Sequence, residues 1–206
     1  MKINLDKTKE MIICFRKDIP DIPNIKIDQS IIEQVTCTKL LGVYITSDLK
    51  WTVHVDSTYK KASSRIYNII MLKRAGLTVP QLVKIYVSTI RSVMEYAAPV
   101  WHTNLTSEST SVLESVQKRV LKIIFPNLDY TSALAHSKLS TLHYRREQLC
   151  KDFFSKIRTN HKFTDIVPPT TCKHYNLRYD TLEQPLCKTN RYKNSLIPYA
   201  LFNFQK

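Results

Sequence analysis

Residues 106–126 read Thr-Ser-Glu-Ser-Thr-Ser-Val-Leu-Glu-Ser-Val-Gln-Lys-Arg-Val-Leu-Lys-Ile-Ile-Phe-Pro, and their apolar spacing decides the fold class. Val112, Val116, Val120, Ile123 and Ile124 recur at steps of three and four, the period of an α-helix that buries one face. Lys118, Arg119 and Lys122 fall on the other side, and Pro126, which cannot donate to the preceding turn, ends the helix. The segment is an amphipathic helix carrying a basic strip.

Outward from it the same period returns. Downstream, Leu142, Leu149, Phe153 and Ile157 mark a further helix, with Arg145, Arg146, Lys151, Lys156 and Arg158 on its other faces. Upstream, Leu82, Ile85, Tyr86, Ile90, Val93 and Met94 form an apolar face that opens on Thr78, an expected N-cap, and Pro80, harmless in a first turn. Before it, Tyr59, Ala62, Ile66, Ile69 and Ile70 line a helix running from Asp56 to its stop at Gly76. At the N-terminal end, residues 10–15, 31–35 and 39–45 are short and rich in β-branched residues, and read as strands. Two Ile-Pro steps at 19–23 predict a turn. Beyond Lys162 the period fades into prolines, among them Pro168, Pro169, Pro185 and Pro198, interleaved with Tyr175, Tyr179, Tyr192 and Tyr199. That composition predicts an extended tail docked on a neighbour. The expected architecture is α+β and mostly α: a small β region over 1–50, about four helices over 51–162, and a basic tail over 163–206.

Composition narrows the chemistry. The 206 residues hold 31 Lys plus Arg against 17 Asp plus Glu, a formal charge of +14 that favours polyanions, nucleic acid first. Only two glycines occur, Gly42 and Gly76, so neither a Rossmann turn nor a P-loop can be built. Five widely spaced cysteines and no leader-like segment predict free thiols in a reducing, intracellular compartment, nucleus or cytoplasm. No apolar run approaches the roughly 20 residues of a membrane span, so no membrane partner is expected.

Several groups of side chains have the spacing of a chemical site, and each has a plainer reading. His54-Val55-Asp56 has the spacing of an iron-binding His-x-Asp pair, with His102, His136 or His143 as a second imidazole, but Asp56 reads better as the cap of the first helix. Cys172, His174 and Cys187, with His161, lack the paired spacing of structural zinc. Cys150, seven residues after His143, lies on the apolar side of its helix and reads as an inert buried thiol. No metal, cofactor or catalytic residue is assigned. The stronger pattern is aromatic residues beside cations: Tyr59-Lys60-Lys61, Tyr144-Arg145-Arg146, Arg178-Tyr179 and Arg191-Tyr192-Lys193. Cations meet phosphates and tyrosine stacks on bases. Lys60, Lys61, Arg65, Lys118, Arg119, Lys122, Arg145 and Arg146 are the expected nucleic-acid contacts.

Four blocks then occur in a telling order: Leu5-Asp6-Lys7-Thr8-Lys9-Glu10-Met11-Ile12; Lys39-Leu40-Leu41-Gly42-Val43-Tyr44-Ile45 with Leu49-Lys50-Trp51; Met94-Glu95-Tyr96-Ala97-Ala98-Pro99-Val100-Trp101; and Leu113-Glu114-Ser115-Val116-Gln117-Lys118-Arg119. Together they resemble the C-terminal part of a non-LTR retrotransposon reverse transcriptase of the Jockey or CR1 kind. The tail Thr189-Asn190-Arg191-Tyr192-Lys193-Asn194-Ser195-Leu196-Ile197-Pro198 resembles the end of such polyproteins. The resemblance implies a palm edge, with Leu41, Gly42 and Val43 in a primer-grip-like place, followed by a helical thumb that holds template and primer. Two-metal polymerisation needs an aspartate pair, and no Tyr-x-Asp-Asp or Phe-x-Asp-Asp occurs. The expectation is therefore a catalytically inactive fragment that binds RNA or DNA. Its alternative is a helical protein-interaction module of a retroelement particle, partnered by other parts of the polyprotein. The short stretch 7–16 also resembles the segment catalogued as the N-terminal domain of the AlkB homologue eight family of tRNA-modifying enzymes, without recognisable iron ligands.

Overall fold

The computed structural model describes residues 4–16, 22–27, 29–163, 165–169 and 182–204. It divides into two compact units, Met1–Ser57 and Thr58–Lys206. The class is α+β with helix dominant, and among the described residues the strands are confined to the first unit.

In that unit β1 (Lys9–Glu10) pairs in parallel with β4 (Glu33–Gln34), and β2 (Lys26–Ile27) pairs antiparallel with β3 (Ser30–Ile31). The strand expected over 10–15 therefore begins a residue early and stops after Glu10, and that over 31–35 is divided between β3 and β4. The third expectation, one strand over 39–45, needs correction. Residues 37–46 fold into a hairpin of β5 (Cys37–Leu40) and β6 (Val43–Thr46), with Leu40 opposite Val43. Leu41 and Gly42 both take positive φ, 46° and 85°. Such a two-residue turn matches the twist of the strands it joins. Glycine at the second position makes it accessible, and it breaks what alternation alone reads as a single strand.

The helical unit follows the periodicity with local amendments. α1 (Thr52–Ser64) and α2 (Ile66–Arg74) were expected as one helix from Asp56. The helix starts four residues earlier, so Asp56 lies exposed in its second turn and does not cap it. A break falls at Arg65, whose guanidinium donates to the Thr89 carbonyl. Ala62, Ile66 and Ile69 are buried as the pattern requires. Gly76 ends α2 with φ 87°, and the Gly76 and Leu77 N–H groups donate to the carbonyls of Lys73 and Leu72. This is the left-handed helix stop that glycine adopts without strain. At the start of α3 (Val79–Tyr86) the Gln81 side chain accepts from the Thr78 N–H and hydroxyl at 2.9 Å each.

Beyond α3 the helix widens into a π turn, Val87–Arg91, before α4 (Ser92–Glu95) and α5 (Ala98–Trp101). Leu82, Tyr86, Ile90 and Met94 are all buried along it. α6 (Ser107–Ile124) is capped by the Thr106 hydroxyl, which accepts from Ser109 N–H at 3.1 Å. It buries Leu113, Val116, Gln117, Val120, Leu121 and Ile124, while Val112 and Ile123, expected inward, are half-buried on its flanks. α7 (Tyr130–Ser137) was not expected; its N-terminus is held by Asp129. α8 (Leu142–Thr159) contacts α4, α5 and α6.

The tail expected as extended contains two helices among its described residues, α9 (Asn190–Lys193) and α10 (Leu196–Asn203). α10 packs on α8: Ala200 and Leu201 are buried against Phe154, with Leu182, Ile197 and Phe204 around them. Docking was legible and helix was not, because Pro198 looks like a breaker yet sits in the first turn, where its missing N–H is harmless.

Candidate nucleic-acid interface

Lys60 and Lys61 are exposed on α1, and Lys118, Arg119 and Lys122 are exposed on α6 opposite its buried face. Arg65 is half-buried and committed to the Thr89 carbonyl. Arg145 is exposed and pairs with Glu95 at 3.4 Å. Arg146 is a correction: it has no exposed surface, so it cannot reach a phosphate. Adjacent residues on a helix point about 100° apart, and the outward placement of Arg145 turns Arg146 inward. Leu41 and Gly42 form the hairpin turn, with Leu41 exposed, and Val43 is buried at the start of β6.

Along α6 lie two clefts of about 300 and 330 Å³ that both include Lys118 and Tyr130. The first has Leu121, Leu128 and Ala133 on its floor and Lys122 on its rim. The second runs past Thr110 and Ser111 to Thr141 and His143. The Lys118 ammonium stands 5.4 Å from the centre of the Tyr130 ring, and Lys122 Nζ donates to the Pro126 carbonyl at 2.7 Å.

The acids here are turned to structural use. The Glu114 carboxylate accepts from the Tyr130 hydroxyl and from the Leu142 and His143 N–H groups at 3.2 and 3.3 Å, so it sits on the N-terminus of α8. Asp129 accepts from Thr131 and Ser132 N–H at 3.2 and 3.4 Å. Hydrogen bonds from Ser132 and Thr131 hold its carboxyl down at about 2. A negative side chain at a helix N-terminus is offset by the helix dipole. Lys118 and Lys122 are thus left as the less compensated charges of the clefts.

Beneath them a buried polar network ties the helices together. Tyr86 hydroxyl donates to Gln117 Oε1 at 2.7 Å, and Gln117 Nε2 donates to Tyr130 hydroxyl at 2.9 Å and to the Ser140 carbonyl at 3.0 Å. Arg91, also buried, pairs with Glu95 at 2.6 Å. Gln117 reaches Tyr86, Tyr130 and Ser140 at separations of 31, 13 and 23 residues, so no local signal in the sequence marks that hub, whereas Arg91 and Glu95 are an i,i+4 pair on neighbouring turns.

A second branch joins α5, α8 and α10. Among the described residues, His102, His143 and Glu147 bring potential ligand atoms within 4.8 Å of one another. The hydrogen bonds argue against a metal there. Arg146 Nε–H donates to His102 Nδ1 at 3.3 Å, which leaves the ring proton on Nε2, facing Glu147 Oε2 at 3.2 Å. An ion at Nε2 needs that proton moved to Nδ1, against the Arg146 donor. Tyr199 hydroxyl donates to Glu147 Oε1 at 2.8 Å and completes the chain. The guanidinium of Arg146 lies over the Trp101 ring at 5.6 Å, and burial draws its pKa down to about 10.

Burial, the charge of Arg146 and His143 hold the pKa of His102 at about 3, far below its usual 6.5. The unfolded chain therefore takes up a proton that the folded chain refuses. Stability contributed here is full above about pH 7 and falls as pH drops toward 4, by at most about 1.4 kcal/mol per pH unit. Urea unfolding at pH 7 and pH 5 checks this: His102→Gln, which keeps an acceptor for Arg146 and a donor for Glu147, should lose less stability between the two than the parent. Equal losses refute the assignment.

The remaining candidates resolve individually. Burial pushes the Cys150 thiol up to about 12, so it stays protonated. His54 is buried, accepts from Tyr44 N–H at 3.4 Å, and has its pKa lowered by burial. Asp56, two residues on, is exposed, and residues two apart on a helix do not share a face. His136 Nδ1 lies 2.9 Å from the Ser132 carbonyl. Cys187 is half-buried, whereas Cys172, His174 and the Arg178-Tyr179 pair lie outside the described residues, as does the side chain of His161. No family model matches the chain, and neither a curated protein nor a solved structure does.

Proposed function

We propose that this chain is a nucleic-acid-binding module, derived from a retrotransposon reverse transcriptase, that holds RNA or DNA through its backbone without sequence preference and without polymerase chemistry of its own. The observation that carries the reading is the exposed strip Lys118, Arg119 and Lys122 on a helix whose opposite face is buried, in a chain of net charge +14. Lys60 and Lys61 on α1 add exposed cations. Lysine and arginine contacts to phosphate release counterions, so affinity falls linearly with salt on logarithmic axes, with a slope of about −0.7 per phosphate on single strands and about −0.9 on duplex. Binding of the purified chain to single-stranded RNA and to an RNA–DNA hybrid across a salt series tests this. A steep slope is expected, while a salt-independent affinity, or no binding at low salt, overturns the reading.

A second reading, a protein-interaction module of a retroelement particle, draws on the first unit, where Phe15, Ile31, Leu40 and Leu41 are exposed. Exposed apolar side chains beside short strand edges favour protein contact. Charge reversal at Lys118, Arg119 and Lys122 tests the first, which predicts loss of nucleic acid, and Leu40→Asp with Leu41→Asp tests the second, which predicts loss of a protein partner with nucleic-acid binding intact.

A further inference from the structure

Resting on the nucleic-acid reading, we infer that the two clefts along α6 form one groove for a single strand, and that duplex is excluded from it. The clefts meet at Lys118 and Tyr130, and on α6 they extend from Thr110 to Lys122, a rise of about 18 Å. Each, at 300 and 330 Å³, lies at the lower end of small-ligand pockets and has room for a base or a sugar-phosphate unit. A double helix presents its phosphates across wide grooves and would ride over the rims.

The lining suits an unpaired strand. Lys118 and Lys122 supply phosphate contacts on successive turns of one helix face. His143 is exposed and stands with its ring centre 5.1 Å from that of the buried His102, tilted by 59°. The tilted contact anchors the imidazole against the interior, and its exposed surface lets it meet a base. Tyr130 is fixed by Glu114 and Gln117, so the aromatic wall between the two cations is set before any strand arrives. Stacking on aromatic rings beside a cationic track is how unpaired bases are held without sequence preference. The two acids that face the groove, Glu114 and Asp129, sit on the N-termini of α8 and α7 and oppose phosphate less than free carboxylates would.

The test compares a labelled oligouridylate about ten nucleotides long, within the range single-strand modules cover, with a duplex of equal length. Circular dichroism confirms the fold of each variant. The parent is expected to favour the single strand. Lys118→Gln with Lys122→Gln should weaken that complex about tenfold or more and flatten its salt slope by about 1.4, two phosphates at about 0.7 each. His143→Ala should weaken the single strand severalfold and leave the duplex unchanged, whereas Lys60→Gln with Lys61→Gln should affect both about equally. A parent that binds but does not respond to the groove variants, or that binds duplex as well as single strand, overturns the groove and leaves the broader reading standing. A parent that binds neither at low salt overturns both.

Discussion

Glu114→Ala should destabilise the helical unit by about 3 kcal/mol, one of the two largest effects expected of a single substitution. The carboxylate serves the Tyr130 hydroxyl and two N–H groups in the first turn of α8 at once. Hydrogen bonds to a charged group contribute about 1.5–3 kcal/mol each, and donors left unpaired in a half-buried site lose more than the bond itself. Solvent reaching the vacated site recovers part of this, which keeps the net near 3. At this chain length the loss corresponds to a fall in Tm of roughly 6–12 °C. Glu114→Gln retains an acceptor for the Tyr130 hydroxyl and the Leu142 N–H, which share Oε1, but sets an amide donor against the His143 N–H, and should fall between. Thermal unfolding of the three proteins checks the order; an alanine variant within 1 kcal/mol of the parent shows that Glu114 does not hold α6 to α8.

The second large effect belongs to the tail. Leu201 has no exposed surface and packs with Ala200 and Phe154. Leu201→Asp places a carboxylate among apolar groups with no partner for it, at a cost of about 4 kcal/mol or more unless α10 detaches. Detachment would also break the bond from Tyr199 to Glu147, one helical turn from Cys150. Cys150, fully buried and held protonated in the parent, should then react with a thiol reagent. Mass mapping of labelled cysteines under native conditions reads this directly. If Cys150 stays unlabelled while the variant remains folded, the tail does not cover α8 as described.

Legibility in the sequence followed the range of the forces involved. The faces of α3 and α6 and the stop at Gly76 are set within a few residues, and each was readable from spacing; on α8 Leu142 and Ile157 are buried as read, but Phe153 is exposed, Leu149 is half-buried, and Phe154 takes the inward place. α7 escaped because Tyr-Thr-Ser-Ala-Leu-Ala-His-Ser carries little apolar period; what starts it is the Asp129 cap. The hairpin at Leu41 and Gly42 escaped because an apolar run on both sides of the turn concealed a change of direction that positive φ alone reveals. The basic strip on α6 was readable as a strip, but the groove was not, since Tyr130, Thr141 and His143 come from other segments. Arg146 shows the limit most plainly: next to Arg145 it looks like half of a basic pair, and only its bond to His102 and its place over Trp101 show it as part of the interior.

The π turn at Val87–Arg91 has a consequence for chain length. The buried residues Leu82, Tyr86, Ile90 and Met94 are spaced four, four and four. In a regular α-helix each step of four overshoots a full circle by about 40°, so three steps wander about 120° around the axis. The wider turn absorbs part of that drift, as a vernier scale absorbs a mismatch between two rulings. Dropping one residue from 87–89 converts the spacing to four, three and four, which an unbroken α-helix follows with little drift. This helix therefore carries one surplus residue at a defined place, and there the chain can shorten without turning its apolar face to water.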